Sequence, residues 1–384
     1  MLHPETLSAP TEETPAELLA WRPQHGVISL YARIDPADRS AAWRTELRNE
    51  LADLADRAGE IEDHDARLAL TATTERLREE FEGEPDPDEP RGLLGFVEVA
   101  RKEGEERWYG VQVQAPRTEV LHGPTAAVHG LLEVLDDGAP LGIAAVSSER
   151  VRLFDWRLGK VEQLHDWELE YFGEEWRERK AQKPRDPARG EAVSAAGRDQ
   201  HDQRMEANRE RFAEQAGGLA REGRRKRGWR QTLLFGDERY VRRFSEGYRE
   251  ECRHIDHTDL INIPTGEIER RLEGLVPELN RDRELSLIER VKEAAYAEGR
   301  SALGVQETFQ ALQEGRVEHL VYDAGRDYTD AWPGWEDQGS ADGLPLIERI
   351  VELALSTSAA ITPVEGVSAE QLAEQGGVAA LLRY

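Results

Sequence analysis

The residues best placed to do chemistry lie between Gly197 and Phe212, GRDQHDQRMEANRERF. From Trp176 to Arg230 there are sixteen Lys and Arg against nine Asp and Glu, a net of +7 in a chain whose net charge is −27. A basic island in an acidic protein fits a polyanion partner at that point, most simply RNA, because phosphates take up Arg and Lys. The alternative is a solvated helix with its own ion pairs, Glu206 and Glu210 standing among Arg209 and Arg211. His201 can donate to a phosphate or stand in solvent. His254 and His257 flank Asp256 at a spacing that matches no metal motif, and they read as ordinary polar positions. Trp332 and Trp335 are either a stacking surface or turn-stabilising core aromatics. Cys252 reads as a buried apolar residue rather than a nucleophile.

The elements that must hold the basic stretch can be read from pattern. Residues 180–196 are rich in Lys, Pro, Gly, Ser and Ala, which predicts a flexible loop. Asp199 is placed to cap the helix that follows, with Asp202 in its first turn, where a carboxylate meets the positive end of the dipole. Met205, Phe212, Ala216 and Leu219 predict one narrow packed seam on an otherwise charged helix.

The 384 residues imply two or three domains. No apolar run approaches a membrane span, and the N-terminus lacks a signal-peptide pattern, so a cytoplasmic protein with no membrane partner is expected. Cys252 is the only cysteine, which excludes disulfides within one chain and a Cys-rich metal site. Neither a metal nor a cofactor is expected, and the chain reads as a monomer. Only six of its fifty basic residues are lysine. A low-lysine, carboxylate-rich surface fits a salty cytoplasm, and equally a host whose codons favour arginine.

Apolar periodicity predicts an α/β chain. After an N-terminal extension, 1–25, a first α/β domain spans 26–137. It holds a strand at Gly26–Ile34, helices at Arg39–Arg57 and Asp63–Phe81, strands at Gly92–Ala100 and Trp108–Gln114, and a short helix at Val128–Leu135. A second domain spans 138–276, with a loop at 180–200 and a basic helix at 200–227. Its strands are Leu141–Val146, a hairpin around Arg157-Leu158-Gly159, Gln231–Gly236 and Ile255–Ile263, which imply a mostly parallel or mixed sheet. A helix from Pro264 to Leu275 closes it. The third domain, 277–384, reads as a three-layer α/β/α unit, with Ser368 and Gln371 as a capping box.

Arg300 to Asp323, RSALGVQETFQALQEGRVEHLVYD, resembles the third domain of the archaeal and eukaryotic class-1 peptide-chain release factors and of Pelota. Gly304, Val305, Glu307, Thr308, Ala311, Leu312, Gly315, Val317 and Glu318 carry the pattern. The ending GGVAALLRY, Gly376 to Tyr384, resembles the GGIGALLRY endings of bacterial relatives, and SLYARIDP, Ser29 to Pro36, resembles the family's opening. The resemblance implies a central domain with an RNase H-like fold and a partner-binding third domain like the kink-turn-binding ribosomal proteins. The family's hydrolytic Gly-Gly-Gln tips a central-domain loop just ahead of a basic helix. Here Gly197-Arg198-Asp199-Gln200 stands in that place, closer to the Gly-x-x-Gln of the Vms-like branch of ribosome-rescue peptidyl-tRNA hydrolases.

The resemblance therefore implies Gln200 and Gly197 as catalytic positions. It implies Arg185, Arg189, Arg198, Arg204, Arg209, Arg224, Arg225, Lys226 and Arg227 as contacts to large-subunit rRNA, with peptidyl-tRNA as substrate. A glutamine is no base at neutral pH, but its amide can orient a water and its backbone N–H can meet a developing oxyanion. Two readings stand: a peptidyl-tRNA hydrolase acting on stalled ribosomes, or a Pelota-like factor that docks in the ribosomal A site without hydrolysis and recruits a protein partner through its third domain. A nuclease would need a divalent metal and a carboxylate cluster, which the sequence does not display. Codon-specific termination is not expected, since residues 26–137 contain nothing like the family's Asn-Ile-Lys-Ser motif.

Overall fold

The computed structural model describes residues 7–38, 40–82, 90–169, 195–256, 259–297, 300–328, 332 and 344–384, and only the backbone of 195–202 and 296–297. The chain forms two units, one of residues 1–138 with 274–384 and one of residues 139–273. The described residues form a mixed α/β structure with three sheets. None of their helices is long and apolar enough to cross a membrane.

In the first unit, α1 (Thr14–Ala20) precedes β1 (Val27–Arg33), α2 (Ala42–Arg57), α3 (His64–Glu80), β2 (Gly92–Glu98), β3 (Glu106–Val111), β4 (Glu119–Gly123) and α4 (His129–Asp137). The strands make an antiparallel sheet of order β3-β2-β1-β4. Alternation along β1 turns Ile28, Leu30 and Ala32 toward α2 and α3, where Leu47, Leu51, Leu70 and Leu77 complete a core. The opposite side chain, Tyr31, lies against α4 and donates to the carbonyl of Ala127 at 2.6 Å. Gly130 permits that approach, since a Cβ there would stand 2.9 Å from the Tyr31 ring. Asp63 caps α3 by accepting the N–H of Asp65 at 2.9 Å. β4 is not anticipated from sequence: EVLHG carries little apolar pattern, and pairing with β1 is what makes it a strand.

The second unit begins with β5 (Leu141–Val146), β6 (Arg150–Arg157) and β7 (Lys160–Glu168). It continues through α5 (Ala195–Arg227), β8 (Gln231–Gly236), α6 (Glu238–Tyr248) and β9 (Arg253–Ile255). The sheet order is β7-β6-β5-β8-β9, antiparallel through β5, β6 and β7 and parallel through β5, β8 and β9. The β6–β7 turn has Leu158 and Gly159 at φ 50° and 84°, the left-handed pair that matches strand twist in a two-residue hairpin. The strand expected at Ile255–Ile263 is instead the three-residue β9, which ends where that expectation began. Leu260 and Ile261 are buried by a non-strand segment, whose carbonyls receive Arg152 Nη1 at 3.2 Å each. Apolar content there reflects burial without ladder pairing.

α7 (Thr265–Ala297) is one helix that runs through Pro277. A break is expected there, because proline removes a helical N–H. Buried Ile268, Leu272, Val276 and Leu279 continue the apolar stripe across the proline, and that burial outweighs one lost hydrogen bond. Residues from Gly274 onward belong to the first unit. There follow β10 (Ser301–Leu303), α8 (Val305–Gln313), β11 (Val317–Asp323), α9 (Leu346–Ser356), β12 (Ala360–Val364), α10 (Gly366–Glu370) and β13 (Val378–Leu382). These strands form a sheet of order β10-β13-β11-β12, in which only β11 and β12 are parallel. Leu287, Ile288 and Val291 of α7 pack on Val321, Val364 and Ala379. Ser368 does not cap α10. It lies inside that helix and is buried, and Glu365 holds the cap position.

Candidate functional site

The basic stretch is built into α5. Its Ala, Glu, Gln and Arg content favours helix, and the helix starts at Ala195 rather than at Gln200. Gly197, Arg198, Asp199 and Gln200 therefore have helical backbone, and Asp199 is an interior position rather than the cap. Of the loop expected at 180–200, residues 195–200 are helical instead, and residues 180–194, with Arg185 and Arg189, lie outside the described residues, as do the side chains of Arg198, Gln200 and His201.

α5 packs through small residues. Ala213, Ala216 and Ala220 are buried against Val241, Phe244 and Tyr248 of α6. The two backbones nearly touch: a Cβ on Gly217 would stand 2.1 Å from the Phe244 carbonyl oxygen, and one on Gly247 1.9 Å from that of Glu214. Phe212 joins this seam, but Leu219, expected on it, is 53% exposed. The helix turns Leu219 off the face that Ala216 and Ala220 occupy.

Ion pairs sort the basic residues. Glu206 and Glu210 are not paired chiefly within α5. Arg239 of α6 reaches Glu206 and Glu210 at 2.7 Å each, and Arg243 reaches Glu210 at 3.0 Å. The hydrogen bond from Arg239 is the main reason the Glu210 carboxyl sits below its ordinary range. Arg209 contacts Glu149 at 2.6 Å and Glu206 at 3.4 Å. Arg224 donates to the Glu251 carbonyl at 3.1 Å. Arg227 meets Glu162 at 2.6 Å and Asp155 at 3.4 Å, and Asp155 also accepts from Trp229 Nε1. Arg204, Arg211, Arg225 and Lys226 are exposed, Lys226 with Glu222 at 3.9 Å. Gly197–Gln200 and Arg224–Arg227 stand about 40 Å apart along the axis at 1.5 Å per residue, so the helix carries two separate chemical ends.

Of the remaining candidates, Trp335 lies outside the described residues, and His254, Trp332 and Cys252 have structural contacts. His254 lies 3.1 Å from the Gly236 carbonyl and 3.3 Å from Asp256; His257 is outside the described residues. No group of three His, Cys, Asp or Glu among the described residues is arranged to hold a metal. Trp332 packs edge-on against Phe309, with centroids 5.1 Å apart. Cys252 is half-buried beside the α6 core.

Sequence reasoning missed one buried polar cluster in the first unit. His129 Nδ1 lies 2.8 Å from the Tyr322 hydroxyl and its Nε2 3.0 Å from Glu133. Arg117 donates to Glu133 at 2.7 Å. The Glu348 carboxylate accepts the N–H groups of Val128 and His129. Burial pushes Glu133 up to about 9 and Glu348 up to about 8, and burial with Arg117 pushes His129 down to about 3. Nearby, Glu133, Asp137, Arg281, Glu284 and Glu365 line a cavity of about 300 Å³. Apart from His129, Glu133 and Asp137 on α4 and Arg281 and Glu284 on α7, these residues lie far apart in sequence, and no local motif marks them.

Residues 140–272, roughly a third of the chain and nearly the whole second unit, match a family model described as bacterial archaeo-eukaryotic release factor family 5. No curated protein matches the chain. Among solved structures, an archaeal translation termination factor, aRF1, is 18% identical, with 96% of each chain covered and a TM-score of 0.25. Pelota of Archaeoglobus fulgidus is 15% identical, covering 76% of this chain and 79% of its own, with a TM-score of 0.32. Dom34 of S. cerevisiae, described as a translation termination-like factor involved in RNA quality control pathways and interacting with Hbs1, is 9% identical, with 77% and 86% covered and a TM-score of 0.39.

Proposed function

We propose, from the match of residues 140–272 to a bacterial archaeo-eukaryotic release factor family, that this chain is a ribosome-associated rescue factor that hydrolyses peptidyl-tRNA. The observation that carries this is the place of Gly197 and Gln200 at the start of α5, inside the matched segment. The substrate is an ester. Its cleavage needs an oriented water, a stabilised oxyanion and a leaving ribose hydroxyl. Gln200 orients the water through its amide, and the ribosome supplies the rest of the site. Exposed Arg204, Arg225 and Lys226 contact rRNA phosphates; Arg209, Arg224 and Arg227 add to that field while holding α5 in its unit. The mixed five-stranded sheet supports an RNase H-like reading of residues 138–276. Residues 277–384 form the partner-binding domain, and the chain works as a monomer in the cytoplasm.

A second reading has its own support. In a helix that begins at Ala195, the Gln200 N–H is spent on the carbonyl four residues back and is closed to an oxyanion. A factor that keeps this helix on the ribosome docks without hydrolysing. Release of labelled nascent chain from purified peptidyl-tRNA–large-subunit complexes separates the two. Under the hydrolase reading, Gln200→Ala lowers the release rate by about 10²–10³-fold, the cost of one preorganised transition-state group. Ribosome binding by the wild type without any release assigns the chain to docking.

A further inference from the structure

β7 is an edge strand, and His165 and Trp167 lie on one of its faces, opposite Leu153 and Val151 of β6. Their rings stack with centroids 4.8 Å apart and planes 11° from parallel. Trp167 is half-buried against the core cluster that contains Ala213 and Ala216 of α5, which fixes its ring. His165 is exposed, so the stack ends on solvent at the rim of the sheet.

The carboxylates around it are countered. Arg150 grips Asp166 through two hydrogen bonds, at 2.8 and 2.6 Å, and stands 3.7 Å from Glu168. Glu162 pairs with Arg227, and Glu149 pairs with Arg209 of α5 at 2.6 Å. Glu149 also accepts the N–H of Leu169 through its carbonyl, which ties the end of β7 to the same corner. An acidic strand would repel a nucleic acid. Here each of these acids has an arginine within ion-pair distance.

We infer that His165 and Trp167 form a platform on which an unpaired base of a single-stranded RNA segment stacks. A rigid ring pair with one open end, on a strand whose acids are countered by arginines, suits sequence-tolerant stacking of unpaired bases. The inference rests on the ribosomal reading above and supplies that reading with a base contact apart from the Gly197–Gln200 end.

The test is fluorescence anisotropy of labelled oligoadenylate with the full chain, comparing wild type, His165→Ala and His165→Phe. His165→Ala, at an exposed position, weakens binding by about 5- to 100-fold, the effect of removing one base–aromatic stack, while His165→Phe retains it. Equal binding by wild type and His165→Ala overturns the platform, as does a wild type that does not bind the oligonucleotide. Loss of ribosome cosedimentation in His165→Ala with oligonucleotide binding intact also overturns it, and assigns the rings to a protein contact. Failure of the ribosomal reading shows separately, as a wild type that does not cosediment with ribosomes, since the oligonucleotide assay contains none.

Discussion

Glu348 accepts the backbone N–H of Val128 at 2.8 Å across 220 residues of sequence. With the N–H of His129, also held by Glu348, this places a carboxylate from α9 on the N-terminus of α4. It fixes two distant segments of the first unit on one another, at a helix end that otherwise has no side-chain cap.

Glu348→Ala leaves two buried donors without an acceptor and destabilises the chain by about 1–3 kcal/mol, read as a shift in urea midpoint. Glu348→Gln keeps an amide oxygen at the same place and costs less. Equal losses in the two variants refute a capping role.

The same cluster sets a pH dependence. Burial raises Glu133 to about 9 and Glu348 to about 8 in the fold, above their ordinary values. Their contribution is whole below the ordinary carboxylate range and is lost as pH rises through 8 to 9. His129 and His319 are pushed down, to about 3 and about 4, chiefly by burial. Their contribution is present above the ordinary histidine value and is lost as pH falls toward 4. The melting temperature therefore peaks between the ordinary carboxylate and histidine values, at about pH 4.5–6.5, and falls on the alkaline side. A midpoint that rises steadily from pH 6 to 9 contradicts this assignment.

Gly217 and Gly218 are neighbours with opposite expected outcomes. A Cβ at 217 meets the Phe244 carbonyl oxygen at 2.1 Å, so Gly217→Ala forces α5 and α6 apart at about 1–3 kcal/mol. At 218 the nearest atom is 4.0 Å away, and Gly218→Ala stabilises the helix by up to about 1 kcal/mol. Thermal melts of the two variants check the packing directly.

Arg225 and Lys226 are exposed at the C-terminal end of α5. Replacing both with glutamine leaves the melting temperature unchanged and reduces the salt slope of ribosome binding by about 2, one for each phosphate that is no longer neutralised. Arg227→Ala differs: it removes the partner of Glu162 and Asp155, so its melting temperature falls as well.

Much of the fold was legible in the chain. The alternation of GVISLYARI, the leucine spacing of α2 and α3, and the Leu158-Gly159 turn are local signals, and the structure has those elements within a few residues of where they read. Errors fell where local rules met longer-range packing. Pro277 sits inside α7 because burial on both sides of it holds the helix. β4 exists because β1 offers it a partner. Leu219 faces solvent because the small residues beside it, not the large one, fit against α6.

By itself, the sequence determined the α/β class, the basic island between Trp176 and Arg230, the release-factor resemblance and the position of Gly197 and Gln200 ahead of the Arg224–Arg227 cluster. Only the tertiary structure decided which of those charges are spent, since Arg239 and Arg243 claim Glu206 and Glu210 across a helix contact that two glycines allow. It alone brought His129, Glu133, Tyr322 and Glu348 into one buried cluster, with half-exposed Arg117 at its edge. The physical reason is the same in both cases: a helix or strand is specified by neighbours a few residues apart, whereas ion pairs and buried acids depend on groups that meet only after distant segments pack.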